Sequence, residues 1–245
     1  MSTTEVVVVL AAAAIAAMVK GTTGMGYPLV LIPVLALFID VADAVVIVAP
    51  SNLYLNASMA WTVRQHRHHA RTLRPFVAGG LGGAALGAIL LSSLPDRTLR
   101  WLLVGVIVLF VLNRVLGERT DLAADLAARL AAPVGAVAGF FQGASGLSGP
   151  IVVPWFLSLG LSRETYIFCI TTAFGYAGAM QLVVFAVQGT FTVNLFLLGL
   201  ALIPIALASM PVGVRFRQRI PIHVFENAVV ILLIGSATSI VIRLL

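Results

Sequence analysis

Lys20-Gly-Thr-Thr-Gly-Met-Gly-Tyr-Pro28 returns 122 positions later (20 to 142) as Gln142-Gly-Ala-Ser-Gly-Leu-Ser-Gly-Pro150, and each copy interrupts an apolar run with glycines, hydroxyl side chains and a proline. In a bilayer such a break is expensive, because backbone N–H and C=O groups released from a helix find no water there. Unwound backbone at membrane depth is tolerated only where protein buries it or where it lines a polar cavity. Two Gly/Pro-interrupted segments at matching places in two halves point to the binding site of a transporter.

Composition sets the class. Of 245 residues, 60% are hydrophobic and 10% charged, with a mean hydropathy of +1.08, outside the range of a soluble domain. The chain therefore reads as a polytopic membrane protein whose partners include the lipid bilayer. Its first segment has no basic start and runs straight into the repeat, so it is not expected to be a cleaved signal. The formal charge of +6 comes from arginines in short loops, where they set topology; nucleic acid is not an expected partner. The single Cys169 excludes an intramolecular disulfide framework and a cysteine metal site.

In chain order, apolar arms at 5 to 19 and 28 to 38 flank the first break, and spans follow near 44 to 63, 75 to 94 and 99 to 116. Arms of about 11 to 16 residues reach roughly 16 to 24 Å, short of the roughly 30 Å hydrocarbon core. Residues 114 to 129 mix Arg114, Glu118, Arg119, Asp121, Asp125 and Arg129 with alanine and leucine and read as an interfacial linker. The second half then repeats the plan, with arms near 130 to 141 and 150 to 160 and spans near 164 to 187, 192 to 214 and 221 to 242. Gly21, Gly24 and Pro28 match Gly143, Gly146 and Pro150, Pro33 matches Pro154, and Asp43 matches Glu164. The expected organisation is a first transmembrane repeat over 1–113, a linker over 114–129 and a second repeat over 130–245.

The arginines decide between parallel and inverted repeats. Arg64, Arg67, Arg71 and Arg74 crowd the loop at 64 to 74, and Arg215, Arg217 and Arg219 the loop at 215 to 219, so both loops should be cytoplasmic. Their repeat equivalents, 188 to 191 and 94 to 98, carry little or no positive charge. Only inverted repeats put both basic loops on one face. The expected fold is all-α, with two inverted repeats, each a glycine-rich re-entrant hairpin followed by three transmembrane helices. The hairpins enter from opposite faces and their tips meet near the midplane.

Pro28 and Pro150 each suit the start of a helix, so each following arm turns its N-terminus inward. Unpaired N–H groups and about half a positive charge at each make two converging N-termini an anion site. Lys20 is the only lysine in the chain, with no other charge between Glu5 and Asp40; a charge at that depth is functional by default, though it could instead cap the preceding half-helix. The candidate substrate-binding residues are Lys20, Gly21, Thr22, Thr23, Gly24 and Gly26 in the first break, and Gln142, Gly143, Ser145, Gly146, Ser148 and Gly149 in the second. Asn52, Asn56, Thr172 and Tyr176 are span residues that either line the cavity or join helices. His66, His68 and His69 have no cysteine or carboxylate nearby, so no metal is expected. No nucleophile with a base and no paired acids fall inside a span, so neither catalysis nor a cofactor is expected.

The duplicated glycine break followed by proline, the two four-segment halves and the basic loop after the second segment resemble the sulfite-exporter family, TauE/SafE, over nearly the whole chain. The resemblance implies a small integral membrane transporter for sulfite or organosulfonates such as sulfoacetate, mostly in the export direction, and a bacterial plasma (inner) membrane location. An anion channel and a non-transporting assembly or lipid-binding protein are the alternatives. The specific anion, the coupling ion and any homo-oligomer are left open.

Overall fold

The computed structural model describes residues 3–69, 72–116, 122–190, 192–216 and 222–244. The regular elements among the described residues are all helices, with no strand among them. The first half holds α1 (Thr3–Thr23), α2 (Tyr27–Leu35), α3 (Val41–Thr62), a 3₁₀ segment (Arg64–His69), α4 (Leu73–Ser93) and α5 (Asp96–Leu116). The second holds α6 (Ala124–Ser145), α7 (Gly149–Leu157), α8 (Arg163–Gln188), α9 (Val193–Phe216) and α10 (Ile222–Leu244). Five of these, α1, α4, α6, α8 and α9, are long and apolar enough to cross a membrane. Large apolar side chains on their outer faces are exposed, among them Val7, Val187, Val193 and Leu197. That surface suits hydrocarbon, not water.

The two arms of each broken segment are unequal, contrary to the expectation of two short ones. α1 has 21 residues and α6 has 22, about 31 to 33 Å of helix, whereas α2 and α7 have 9 each. The first arm lengthens for a local reason in each half. Gly21, Thr22 and Thr23 stay helical in α1, and the alanine-rich start Ala124-Asp-Leu-Ala-Ala-Arg129 has the propensity to join α6. The charged stretch expected as a linker therefore contributes Asp125 and Arg129, both exposed, to the first turns of α6. Glu118, Arg119 and Asp121, like Arg71, Arg217 and Arg219 of the basic loops, lie outside the described residues, as do the side chains of Arg114, His68 and His69. Pro28 and Pro150 stand at the second helical position, after Tyr27 and Gly149, where a missing N–H still costs no helical bond.

α2 is buried on nearly every side, so it needs no polar face. It packs on α1, α3 and α10; correspondingly, α7 packs on α6, α8 and α5. α1 lies against α9 as α6 lies against α4, α3 touches α9 as α8 touches α4, and α3–α8 and α5–α10 pair directly. At one end of the bundle Arg100 joins three junctions. Its Nη1 donates to Ala36 O at 2.6 Å and its Nη2 to Ile39 O at 3.2 Å, while Nε pairs with Asp96 at 2.5 Å. Asp96 in turn accepts from Val41 N at 2.8 Å, and Arg243 at the end of α10 donates to Leu37 O. At the other end, Phe76 in the first turn of α4 packs on Trp155 and Phe156 of α7, and Leu122 N donates to Ser158 O at 2.9 Å.

The tightest seam joins α4 to α6. Gly79, Gly83 and Gly87 recur every four residues along one stripe of α4 and face the backbone of Ala132, Ala136 and Phe140 on α6, while Gly135, Gly139 and Gly143 of α6 face that of Phe76, Gly80 and Ala84. A Cβ at Gly83 would stand 1.9 Å from Ala136 O, and one at Gly139 would stand 2.0 Å from Gly80 O. The two backbones are in contact, the arrangement by which small residues hold membrane helices together. The equivalent pair, α1 on α9, crosses closely at one place, Gly21 over Met210 and Gly213 over Met18, and α9 also crosses α3 with Gly199 over Ile47 O. At Gly82, one position from the seam, a Cβ would meet nothing within 4 Å. Gly83→Ala is therefore expected to lower the melting temperature in detergent sharply, by about 1–3 kcal/mol of overpacking or more. Gly82→Ala should leave it unchanged or raise it, since alanine favours helix by up to about 1 kcal/mol. Equal melting temperatures for the two variants would contradict the seam.

Candidate functional site

Both breaks end their first helix in the same way. Gly24 N donates to Lys20 O and Gly146 N to Gln142 O, each at 2.8 Å, and φ of 84° and 72° at these glycines closes each helix in the left-handed region. Thr23 Oγ1 then donates to Val19 O and accepts from Met25 N, as Ser145 Oγ donates to Phe141 O and accepts from Leu147 N. Thr22 Oγ1 donates to Val19 O at 2.7 Å. The hydroxyls of Thr22, Thr23 and Ser145 are thus committed to their own backbone. In the second half Gln181 completes the closure, its Nε2 donating to Gln142 O at 2.9 Å and Gly143 O at 3.0 Å.

The starts of the second helices are left differently. The N–H groups of Gly26 and Tyr27 at the start of α2, and of Ser148 and Gly149 at the start of α7, have no acceptor among the described residues. Pro154 cannot donate to Pro150 O one turn earlier; Asn113 Nδ2 of α5 does so instead, at 2.8 Å. That bond ties the first turn of α7 to the bundle. Asn113 carries no sequence signal beyond being a polar residue in an apolar span.

The two breaks wall one cavity. Lys20, Gly26, Pro28 and Leu29 line it from the first, and Gln142, Gly146, Ser148 and Gly149 from the second; Asn52 of α3, Phe174 of α8, Met25 and Leu147 close it. About 30 Å³ is open to the centre of a water-sized group, some two to three times the minimum for one water, enough for a compact ion. The apolar walls, Met25, Leu29, Leu147 and Phe174, have no signature in the sequence.

Lys20 is 1% exposed. Its Nζ donates to Asn56 Oδ1 at 2.6 Å, and Asn56 Nδ2 donates on to Asn52 Oδ1 at 3.3 Å. No carboxylate pairs with it among the described residues; the ion pairs there are those of Arg100 with Asp40 and Asp96. Across the cavity Ser148 Oγ donates to Gln142 Oε1 at 2.8 Å, which leaves the Gln142 amide nitrogen for another acceptor. Lys20, Gly26, Asn52, Gln142, Gly146, Ser148 and Gly149 are thus brought together, with Asn56 one bond behind. Gly21 and Gly143 sit in the helix seams, against Met210 O and Ala84 O, and Gly24 packs under Ile170. Thr172 Oγ1 is buried with no partner and off the cavity wall, and Tyr176 is 54% exposed. No three His, Cys, Asp or Glu side chains come together among the described residues.

Searches of curated proteins and of solved structures found no match. The family model described as "Sulfite exporter TauE/SafE" matches residues 9–240. With nearly the whole chain covered, this helical membrane protein belongs to the sulfite exporter TauE/SafE family.

Proposed function

We propose that the chain is a secondary transporter that exports small sulfur-containing anions, sulfite or organosulfonates of the sulfoacetate kind, across a bacterial plasma (inner) membrane. The anion sits near the midplane in the cavity between the two breaks. One observation carries this reading: a lysine buried to 1% exposure faces that cavity with a neutral amide as its partner. Burying an unpaired ammonium costs several kcal/mol, and an anion in the cavity offsets that cost. Neutral donors surround the same space, namely the Asn52 and Gln142 amides and the free N–H groups of Gly26, Ser148 and Gly149. Hydrogen bonds to a charged group contribute about 1.5–3 kcal/mol each.

Alternating access follows from relating the halves 1–113 and 130–245 as inverted repeats. The exchange-related helix contacts support this. So do the ends of the broken segments: α7 leaves beside the start of α6, where α4 begins, whereas α2 leaves beside Asp96 and Arg100, where α4 has finished. Each hairpin then opens to its own side, and rocking one half against the other exposes the cavity alternately.

Two experiments test the reading. In a melting series with sulfite, sulfate, thiosulfate, sulfoacetate, taurine, acetate and chloride, a sulfur oxyanion at a hundredfold excess over its Kd should stabilise the protein by about 2.7 kcal/mol. Lys20→Ala should weaken that binding roughly 10- to 150-fold, the loss of one charge-assisted bond, while Thr22→Ala leaves it nearly unchanged. Equal effects of the two substitutions would remove Lys20 from the site. For the topology, single cysteines at positions 68 and 190 in a chain lacking Cys169 should label from opposite sides of the membrane. Labelling from the same side would show the repeats to be parallel.

A further inference from the structure

We propose that Lys20 takes up a proton when the anion binds and releases it when the anion leaves, so that each anion is carried together with one proton. This rests on the anion site proposed above and adds its coupling ion. Among the described residues the Lys20 nitrogen has one hydrogen-bond acceptor, Asn56 Oδ1, and a neutral amine makes that donation as an ammonium does. The last turn of α1 and the amide oxygen favour charge on the nitrogen only modestly, and among the described residues no carboxylate offsets the cost of burying it. Once an anion occupies the cavity, protonation turns two buried charges into one pair. The balance is R–NH₂ + H⁺ + A⁻ giving R–NH₃⁺·A⁻: the proton arrives with the anion from the side then open, adds to the nitrogen lone pair, and leaves by the other.

The surroundings assign the proton to this group. Of the elements packed on α1, α2 offers buried Tyr27, and α9 offers Arg215, which is exposed. On α10 the described titratable side chain is Arg243, bonded to Leu37 O at the bundle end. Across the cavity, Asp43 stands thirteen residues before Asn56 on α3, roughly 20 Å along the axis at about 1.5 Å per residue. α8 carries exposed Glu164 and Tyr176 and, within the apolar cluster behind α7, Cys169; Asp125 and Arg129 of α6 are exposed in its first turns. None of these carboxylates touches Lys20.

The test is proton uptake by purified protein in weakly buffered, mildly alkaline detergent solution with a pH indicator, titrated with thiosulfate or methanesulfonate. Both anions stay fully ionised there, so any proton consumed goes onto the protein. The expected result is an alkaline shift that saturates with the binding curve at close to one proton per anion bound. Lys20→Arg, whose guanidinium is permanently charged, should bind anion without the shift. Binding by wild-type protein with no proton uptake overturns the coupling and leaves the anion site standing, as does uptake that persists undiminished in Lys20→Arg. If neither anion binds the wild-type protein, the site itself fails and the coupling with it. Should Lys20→Arg not fold, the wild-type stoichiometry decides alone.

Discussion

Backbone polar groups inside hydrocarbon must be satisfied by protein, and that constraint bears on the two places where glycines break this chain's apolar helices. The satisfaction is one-sided. At each break the carbonyl end of the first helix is closed, by a left-handed glycine, by a hydroxyl from Thr23 or Ser145, and in the second half by Gln181. The N–H end of the second helix is left without acceptors among the described residues, and Gly26, Ser148 and Gly149 there line a shared cavity. In the proposed reading, capping acceptors while leaving donors free suits the cavity to an anion, and Lys20 adds a full charge once it is protonated. A cation site would need the reverse arrangement.

The halves repeat the backbone plan but not the chemistry. Lys20 stands where the second half has Gln142, and left-handed Gly26 where it has Ser148. The amides of Asn52 and Asn56 face alanines in the repeat alignment, so the polar chain leading from the cavity exists on one side only. Packing is unequal too. A ladder of glycines locks α6 along α4, whereas α1 meets α9 at one close crossing. The wall of the cavity that carries Lys20 thus belongs to the half whose broken helix is held less tightly to its neighbour.

Much of this was legible in the sequence, for identifiable reasons. Long apolar runs bounded by charged loops placed α3, α4, α5, α8, α9 and α10 within a few residues of where they lie, because a bilayer leaves such runs few alternatives. The glycine breaks pointed to the cavity because unwound backbone in an apolar run is tolerated where protein buries it or where it lines a polar space. What stayed hidden depends on direction. Hydroxyls at Thr22, Thr23 and Ser145 count as donors in a sequence, yet their short side chains reach their own helix first. Tyr176 and Asn52 are both polar residues of apolar spans, and rotation about the helix axis puts one outside and the other on the cavity wall. The role of Asn113 is visible only once α5 is known to pass Pro150, and the glycines of α4 gain meaning only from those of α6.

The central claim is that a small anion binds between the two breaks, in contact with Lys20. The most direct measurement is an experimental structure with selenite, an isostere of sulfite whose selenium can be located by anomalous scattering. The account predicts one strong anomalous peak within hydrogen-bonding reach of the Lys20 nitrogen and of the Ser148 and Gly149 N–H groups, lost in Lys20→Ala. Selenium confined to the exposed arginines of the loops, with the cavity between the breaks empty, would contradict it.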